Sequence, residues 1–327
     1  MRFLPSLLSS SLFQMPIALL KFPIDLLRDV FKLCDPFQLY CLSKCSKRTQ
    51  RSIKLSGTRN WKIFSGSNRA VIHVDDWRYS FQKAEKPEAH FQQDNFYKSR
   101  SIQCPDGDVD LFFILLDTFG IRLVGMLSID LCNFESVSKK AKILIERDIE
   151  IEEFCIGNTR GAKDAVHIMP LVNRLNITEE FECWPRFLCR FHYQLDKYPK
   201  KIFINWSYWF DINQLLNSTC VRMILDKSIL SNQDIDVFLR KWNKAGEFPN
   251  LRWLQIASKK LDNRSPILGM IPPIQTFNSP TIFIRGTSDE FVENAVRVTK
   301  EDGTVGWLKV ELGRWPELKF LVSNPST

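Results

Sequence analysis

The stretch from Phe22 to Leu55, FPIDLLRDVFKLCDPFQLYCLSKCSKRTQRSIKL, dictates local structure more tightly than any other part of the chain. Pro23 lacks an N–H and suits a first helical position. Asp25 follows in the first turn, where a carboxylate favours the positive end of a helix. Leu26, Leu27, Val30, Phe31 and Leu33 recur at helical spacing and cover a wide apolar face. Asp35 reads as an N-cap, with Pro36 opening a second helix that carries Phe37, Leu39, Tyr40 and Leu42. A third, basic helix, SKRTQRSIK, follows, with Ile53 and Leu55 near its end. Three short helices cannot hide this much apolar surface among themselves. The stripe Leu26, Val30 and Leu33, at i, i+4 and i+7, needs a cover, either the rest of the chain or another protein.

The chain has 327 residues, room for about two domains. Its 25 Phe and 9 Trp argue for a sizeable core and against disorder. The net charge of +8 is concentrated: Lys44, Lys47, Arg48, Arg51, Lys54, Arg59 and Lys62 lie in a run with no acidic residue. The remainder is nearly neutral. Such a run could contact phosphates, but apart from Trp61 it lacks the interleaved aromatics on which bases stack. A solvated helix face is the simpler reading.

The nine cysteines are an odd number and contain no CxxC pair. Cys41 and Cys45, and Cys183 and Cys189, lack the second half that a zinc site needs. Reduced thiols in the cytoplasm or nucleus fit this pattern. Residues 1–21 are broken by Pro5 and Pro16 and read as an extension, not a signal. No segment reaches 18 apolar residues, so a soluble protein is expected.

Beyond Trp61 the pattern becomes mixed strand and helix. RAVIHVDDW, RLVGMLSIDL, KAKILIERDIEIEEFCI, AVHIMPLVNRLNI and KKIFINW read as strands. The polar stretch from Glu85 to Asp108 reads as a long loop. YPKKIFI at Tyr198, FPNLRWL at Phe248 and WPELKFL at Trp315 repeat one scheme: an aromatic, a proline and an apolar strand. CVRMIL at Cys220 reads as another such strand, with Ile204, Leu225 and Ile256 in equivalent positions. Between two of these strands, Ser231 and Asp234 have capping-box spacing. Ile235, Phe238, Leu239 and Trp242 follow at helical intervals, and Gly246 reads as a stop. The expected fold is α/β or α+β: a small helical module, then a mixed strand and helix domain with leucine-rich-repeat-like strand–helix units.

Phe22-Pro23, Leu26, Val30-Phe31, Leu33, Asp35-Pro36, Leu39, Leu42-Ser43 and Cys45-Ser46-Lys47-Arg48 together resemble the F-box, whose usual opening is Leu-Pro. The segment LLNSTCVRMILDKSILSNQDIDVFLRKWNKAG, Leu215 to Gly246, followed by FPNLRWLQI, resembles the type 2 F-box-associated domain of the nematode F-box proteins. The resemblance implies an F-box over residues 22–62 and a target-binding domain over 63–327. It implies a Skp-type adaptor as partner, and through it cullin and RING subunits. Phe22, Pro23, Leu26, Val30, Leu33, Leu39 and Leu42 would face the adaptor or support the plug that enters it.

Searches for catalysis return nothing: no GxxxxGK[ST], no GxSxG and no HExxH. His73, His90, His167 and His192 are scattered. The acidic run Glu146–Glu153 alternates with Ile149 and Ile151, as a strand with one solvated face does. No cofactor, metal or membrane is expected. Trp206, Tyr208 and Trp209, in NWSYW, are target-binding candidates, with core packing as the simpler alternative. The expected role is a substrate-recognition subunit of an SCF-type ubiquitin ligase. The alternatives are a scaffold with a degenerate F-box and a nucleic-acid-binding protein using the basic run.

Overall fold

The computed structural model describes residues 21–54, 61–66, 69–130, 134–157, 162–188, 190–277, 281–283 and 291–323. The extension before Lys21, Leu55, Arg59, Cys189 and the remaining gaps lie outside these residues. The chain divides into two compact units. The first is Met1–Leu127 with Glu135–Lys140, and the second is Ser128–Phe134 with Ala141–Thr327.

The first unit opens with helices α1 (Ile24–Lys32), α2 (Pro36–Cys45) and α3 (Lys47–Ile53). Pro23 is the N-cap of α1, one position earlier than expected. Asp35 caps α2 as expected, and Gln38 completes a reciprocal capping box. Strands β1 (Lys62–Gly66), β2 (Arg69–Val74) and β3 (Trp77–Lys83) form an antiparallel meander. The expected loop at 85–108 instead holds a hairpin, β4 (Gln93–Phe96) and β5 (Ser99–Cys104). The polar residues that suggested a loop are those of an edge strand, which has one side in solvent. Helix α4 (Asp108–Phe119) follows, stopped at Gly120, where φ is +66°. Strand β6 (Leu123–Ile129) pairs with β1 in parallel, giving the order β6-β1-β2-β3-β5-β4.

Two stretches expected to be strands begin as helices. KAKILIE belongs to α5 (Phe134–Glu146), and only EIEEFCI forms a strand, β7 (Glu150–Ile156). AVHIMPLV belongs to α6 (Ala162–Val172), with Pro170 inside it, and β8 is Asn176–Cys183. Continuous apolar runs carry no period, so helix and buried strand look alike there.

In the second unit β9 (Lys201–Ile204), α7 (Ile212–Asn217), β10 (Arg222–Ser228), α8 (Asn232–Trp242) and β11 (Trp253–Ser258) alternate. Strands β7 to β11 lie side by side in chain order, all parallel. Leu225 sits level with Ile204 on one side and Ile256 on the other, so the three equivalent positions line up across the sheet. The scheme ends there. WPELKFL leads into β16 (Glu317–Ser323), which runs antiparallel to β11 and closes a meander with β15 (Val305–Glu311) and β14 (Val296–Thr299). It is therefore not a third repeat. A short pair, β12 (Ile282–Phe283) and β13 (Phe291–Val292), completes the described strands. Ser231 caps α8 with the expected capping box, and Ile235, Phe238, Leu239 and Trp242 are all buried. No helix among the described residues is long and apolar enough to cross a membrane.

Candidate functional sites

The three N-terminal helices are anchored by one side of α2. Phe37 meets Tyr79 and Phe81 edge to face, with centroids 5.2 and 5.0 Å apart, and Tyr40 meets Phe81 at 5.4 Å. Leu39 and Tyr40 are fully buried. Arg100 of β5 pairs with Asp35 at 3.1 Å. The Tyr40 hydroxyl and Lys44 Nζ both donate to Asp106 Oδ2 at 2.6 Å. Lys44 is thus tied into this cluster and is not a free member of the basic run.

Burial alone would push the Asp106 carboxyl up, but hydrogen bonds from Lys44 and Tyr40 outweigh it and hold the group below its usual range. Burial and the Asp106 bond raise Tyr40. The signs follow from linkage. The Asp106 contribution is present above the unfolded carboxylate value and is lost as pH falls through the lowered folded one. The Tyr40 contribution is present below its ordinary value of 10.0 and is lost at higher pH. Asp106→Asn is expected to flatten the acid limb of the stability curve, and Tyr40→Phe the alkaline limb. Urea unfolding at a series of pH values checks both, and unchanged limbs would contradict the assignment.

The opposite side of α1 is uncovered. Leu27 and Phe31 point into the unit, while Phe22, Ile24 and Leu26 are 44%, 59% and 46% exposed and Leu33 is 87% exposed. Pro23 is exposed, and Val30 and Leu42 are half-buried. Of the residues expected at an adaptor, then, Phe22, Pro23, Leu26 and Leu33 lie at the surface, and Leu39 is core that supports them. Exposed apolar side chains gathered on one short segment in this way mark interaction sites.

The second site is a cleft of about 610 Å³ in the second unit. Trp206 follows β9, Asp226–Ser228 end β10, and Ala257–Lys259 end β11. Trp315 and Pro316 precede β16, which is antiparallel and so starts at this same end. In open α/β sheets the carboxyl ends of parallel strands are the usual place for ligands. Ser207 donates from N and Oγ to the Asp226 carbonyl, at 2.9 and 2.8 Å, and Ser258 Oγ lies 3.0 Å from the Ser228 carbonyl. The strand ends are therefore fixed to one another.

Trp206 is half-buried, with Lys227 Nζ 4.3 Å and Arg186 4.7 Å from its ring centre. Tyr208 lines a smaller adjoining pocket of about 320 Å³ that shares Trp206 and Lys227. Trp209 is not at the surface. It is 4% exposed and packed among Phe187, Phe191 and Tyr193. Trp206, Tyr208 and Trp209 all lie beyond the end of β9 in turn backbone, where Trp209 and Phe210 fold into the core and Trp206 and Tyr208 stay half-buried. Sequence reading missed Asp226, Lys227, Lys259 and Trp315 as site residues. They lie up to 89 positions apart, and only the side-by-side strands bring them together.

The histidines form no site. His167 and His192 are exposed. His73 stacks on Phe64 with centroids 4.0 Å apart, and burial and Arg78 lower its pKa. Among the described residues no three His, Cys, Asp or Glu side chains could hold a metal.

Comparison with protein-family models finds two matches. Residues 19–61 match the F-box domain and residues 190–256 match an F-box-associated domain, FBA_2. The first covers α1, α2 and α3; the second runs from before β9 into β11. No curated protein and no solved structure matches the chain.

Proposed function

The chain carries an F-box domain and an F-box-associated domain, and from that pairing we propose that it is a substrate-recognition subunit of an SCF-type cullin–RING ubiquitin ligase. F-box domains generally bind Skp-type adaptors, and proteins with this pair of domains are generally non-catalytic adaptors. The observation that carries the reading is the exposed apolar row at α1: Leu26 on the helix, Phe22 just before it and Leu33 at its C-cap lie in solvent, while Leu27 and Phe31 are buried. An adaptor seated there recruits cullin and RING subunits. The second unit holds the target, and its strand–helix alternation from β9 to β11 is leucine-rich-repeat-like in this reading. Ubiquitin transfer then proceeds by proximity, with no residue of this chain touching the bond that forms. A reducing location, the cytoplasm or nucleus, goes with this role.

The test is co-purification with a Skp-type adaptor, using the full chain and a Leu26→Asp/Leu33→Asp variant. Both side chains are exposed in the free chain, so the fold should stand while two carboxylates enter an apolar contact unpaired. A loss of binding of about a hundredfold or more is expected. An intact chain that binds no adaptor would sink the ligase reading and leave a scaffold with a degenerate F-box.

A further inference from the structure

We propose that the cleft at the carboxyl ends of β9, β10 and β11 binds an acidic peptide segment that also carries an apolar side chain. The proposal rests on the second unit being the target-binding part of the chain. Its first support is charge. Lys227 and Arg186 lie over Trp206, and Lys259 and Arg314 lie near Trp315, at 5.3 and 6.0 Å from the ring centre. Four cations thus surround two indoles at one end of the sheet. The acidic groups there are fewer. Glu317 already has Lys319 at 3.4 Å and accepts from Gln255 at 2.6 Å. Asp226 remains, and burial raises its pKa, with Glu317 adding to the rise against Lys227.

A cationic ligand is disfavoured by the same facts. An aromatic cage for an ammonium group needs free ring faces, and here resident lysines and arginines lie over both indoles. A second cation would meet four like charges. An acidic side chain would instead meet Lys259 and Lys227 in the cleft lining, the Lys227 ammonium also donating to Asn205 Oδ1 at 2.6 Å. Trp315 is 61% exposed, so the part of its ring that Lys259 and Arg314 leave open supplies apolar surface for a neighbouring side chain, as aromatic residues do in binding hot spots. Asp226 lies on the cleft wall, where its carboxyl can accept a backbone N–H from an extended peptide. The groups therefore match three features of one short segment: a carboxylate, an apolar side chain and a main-chain donor.

The experiment is selection from a random-peptide display library on the full chain, counter-selected against a Lys259→Glu/Trp315→Ala variant. Enriched peptides should carry Asp or Glu within a few positions of an aliphatic or aromatic residue. A labelled copy of the most enriched peptide should lose about tenfold or more in affinity with Lys259→Glu, and weaken with rising salt. Trp315→Ala should weaken it without altering the salt slope. Enrichment of basic or uncharged peptides, no enrichment over the counter-selecting variant, or full affinity in Lys259→Glu would each overturn the proposal. Adaptor binding is measured on the same preparations. Its absence beside an intact acidic selection would count against the ligase reading alone. Its presence beside a failed selection would count against the cleft alone.

Discussion

Lys140→Ala in the full chain is expected to destabilise the first unit by about 3–5 kcal/mol, the range for removing one partner of a buried ion pair. The Lys140 side chain has no solvent exposure. Its Nζ donates to Asp108 Oδ2 at 2.7 Å and to Ser65 Oγ at 2.9 Å, and lies 5.2 Å from the Phe112 ring centre. Burial lowers its pKa, and Asp108 opposes that shift. One cation thus ties the start of α4 to β1. The other Asp108 oxygen is buried with no partner, so the carboxylate depends on Lys140 and on the Ser136 hydroxyl that donates to the same oxygen. With the ammonium gone, a buried negative charge would be left behind. Lys140→Met/Asp108→Leu removes both charges and should recover most of the loss, because apolar pairs often replace buried ion pairs at little cost. Urea unfolding, with hydrogen exchange read at β1 and β6, measures both variants. A single-variant effect under about 1 kcal/mol would contradict the account.

Trp242→Ala should cost the second unit a similar amount, about 3–5 kcal/mol, as buried Trp truncations do. Trp242 ends α8 and is completely buried, meeting Phe320 of β16 edge to face at 4.8 Å and 88°. Gly306 of β15 leaves room for both rings. A Cβ there would fall 2.6 Å from Phe320 and 3.0 Å from Trp242. Gly306→Ala alone should therefore also destabilise, by about 1–3 kcal/mol, since a close-packed core resists added atoms. Combined with Trp242→Ala, the Phe320 ring can shift away from the added methyl into the vacated space, so the double variant should be less destabilised than the sum of the singles. A double-mutant cycle by urea unfolding reads that coupling. Strict additivity would mean that the two residues do not share the packing described.

How much was legible in advance differed by region, for physical reasons. The α2 and α8 starts were written in residue types whose side chains bond the backbone within four positions: Asp35 with Pro36, and Ser231 with Asp234. Local chemistry of that kind needs no tertiary information. The in-register trio Ile204, Leu225 and Ile256 was also visible, since a repeated strand–helix unit places equivalent residues level. The runs before Glu146 and Val172 are helical where the sequence suggests strand, because they are apolar without a clear period and only their neighbours decide between the two. Trp315 reads as the lead into an apolar strand, but its place with Trp206 in one cleft depends on an antiparallel return that no local pattern announces. Trp206, Tyr208 and Trp209 group by proximity along the chain, but the turn after β9 sends Trp209 into the core, and no local pattern announces that turn.

The anchoring of α2 by Phe37, Tyr40, Asp35 and Lys44 makes the helical motif inseparable from the strands behind it. Residues 19–61 cut out alone would strip Phe37 and Tyr40, both buried in the intact unit, of their ring partners Tyr79 and Phe81 in β3. Because those contacts are shared, a ligand on the uncovered face of α1 stabilises every element that unfolds together with α2. In the proposed role, saturating adaptor would therefore act as a thermal ballast for β3 and β5, strands it need never touch. On that proposal, the level of free adaptor in a cell would govern how long the whole first unit survives quality control, and the chain's abundance would report its own assembly.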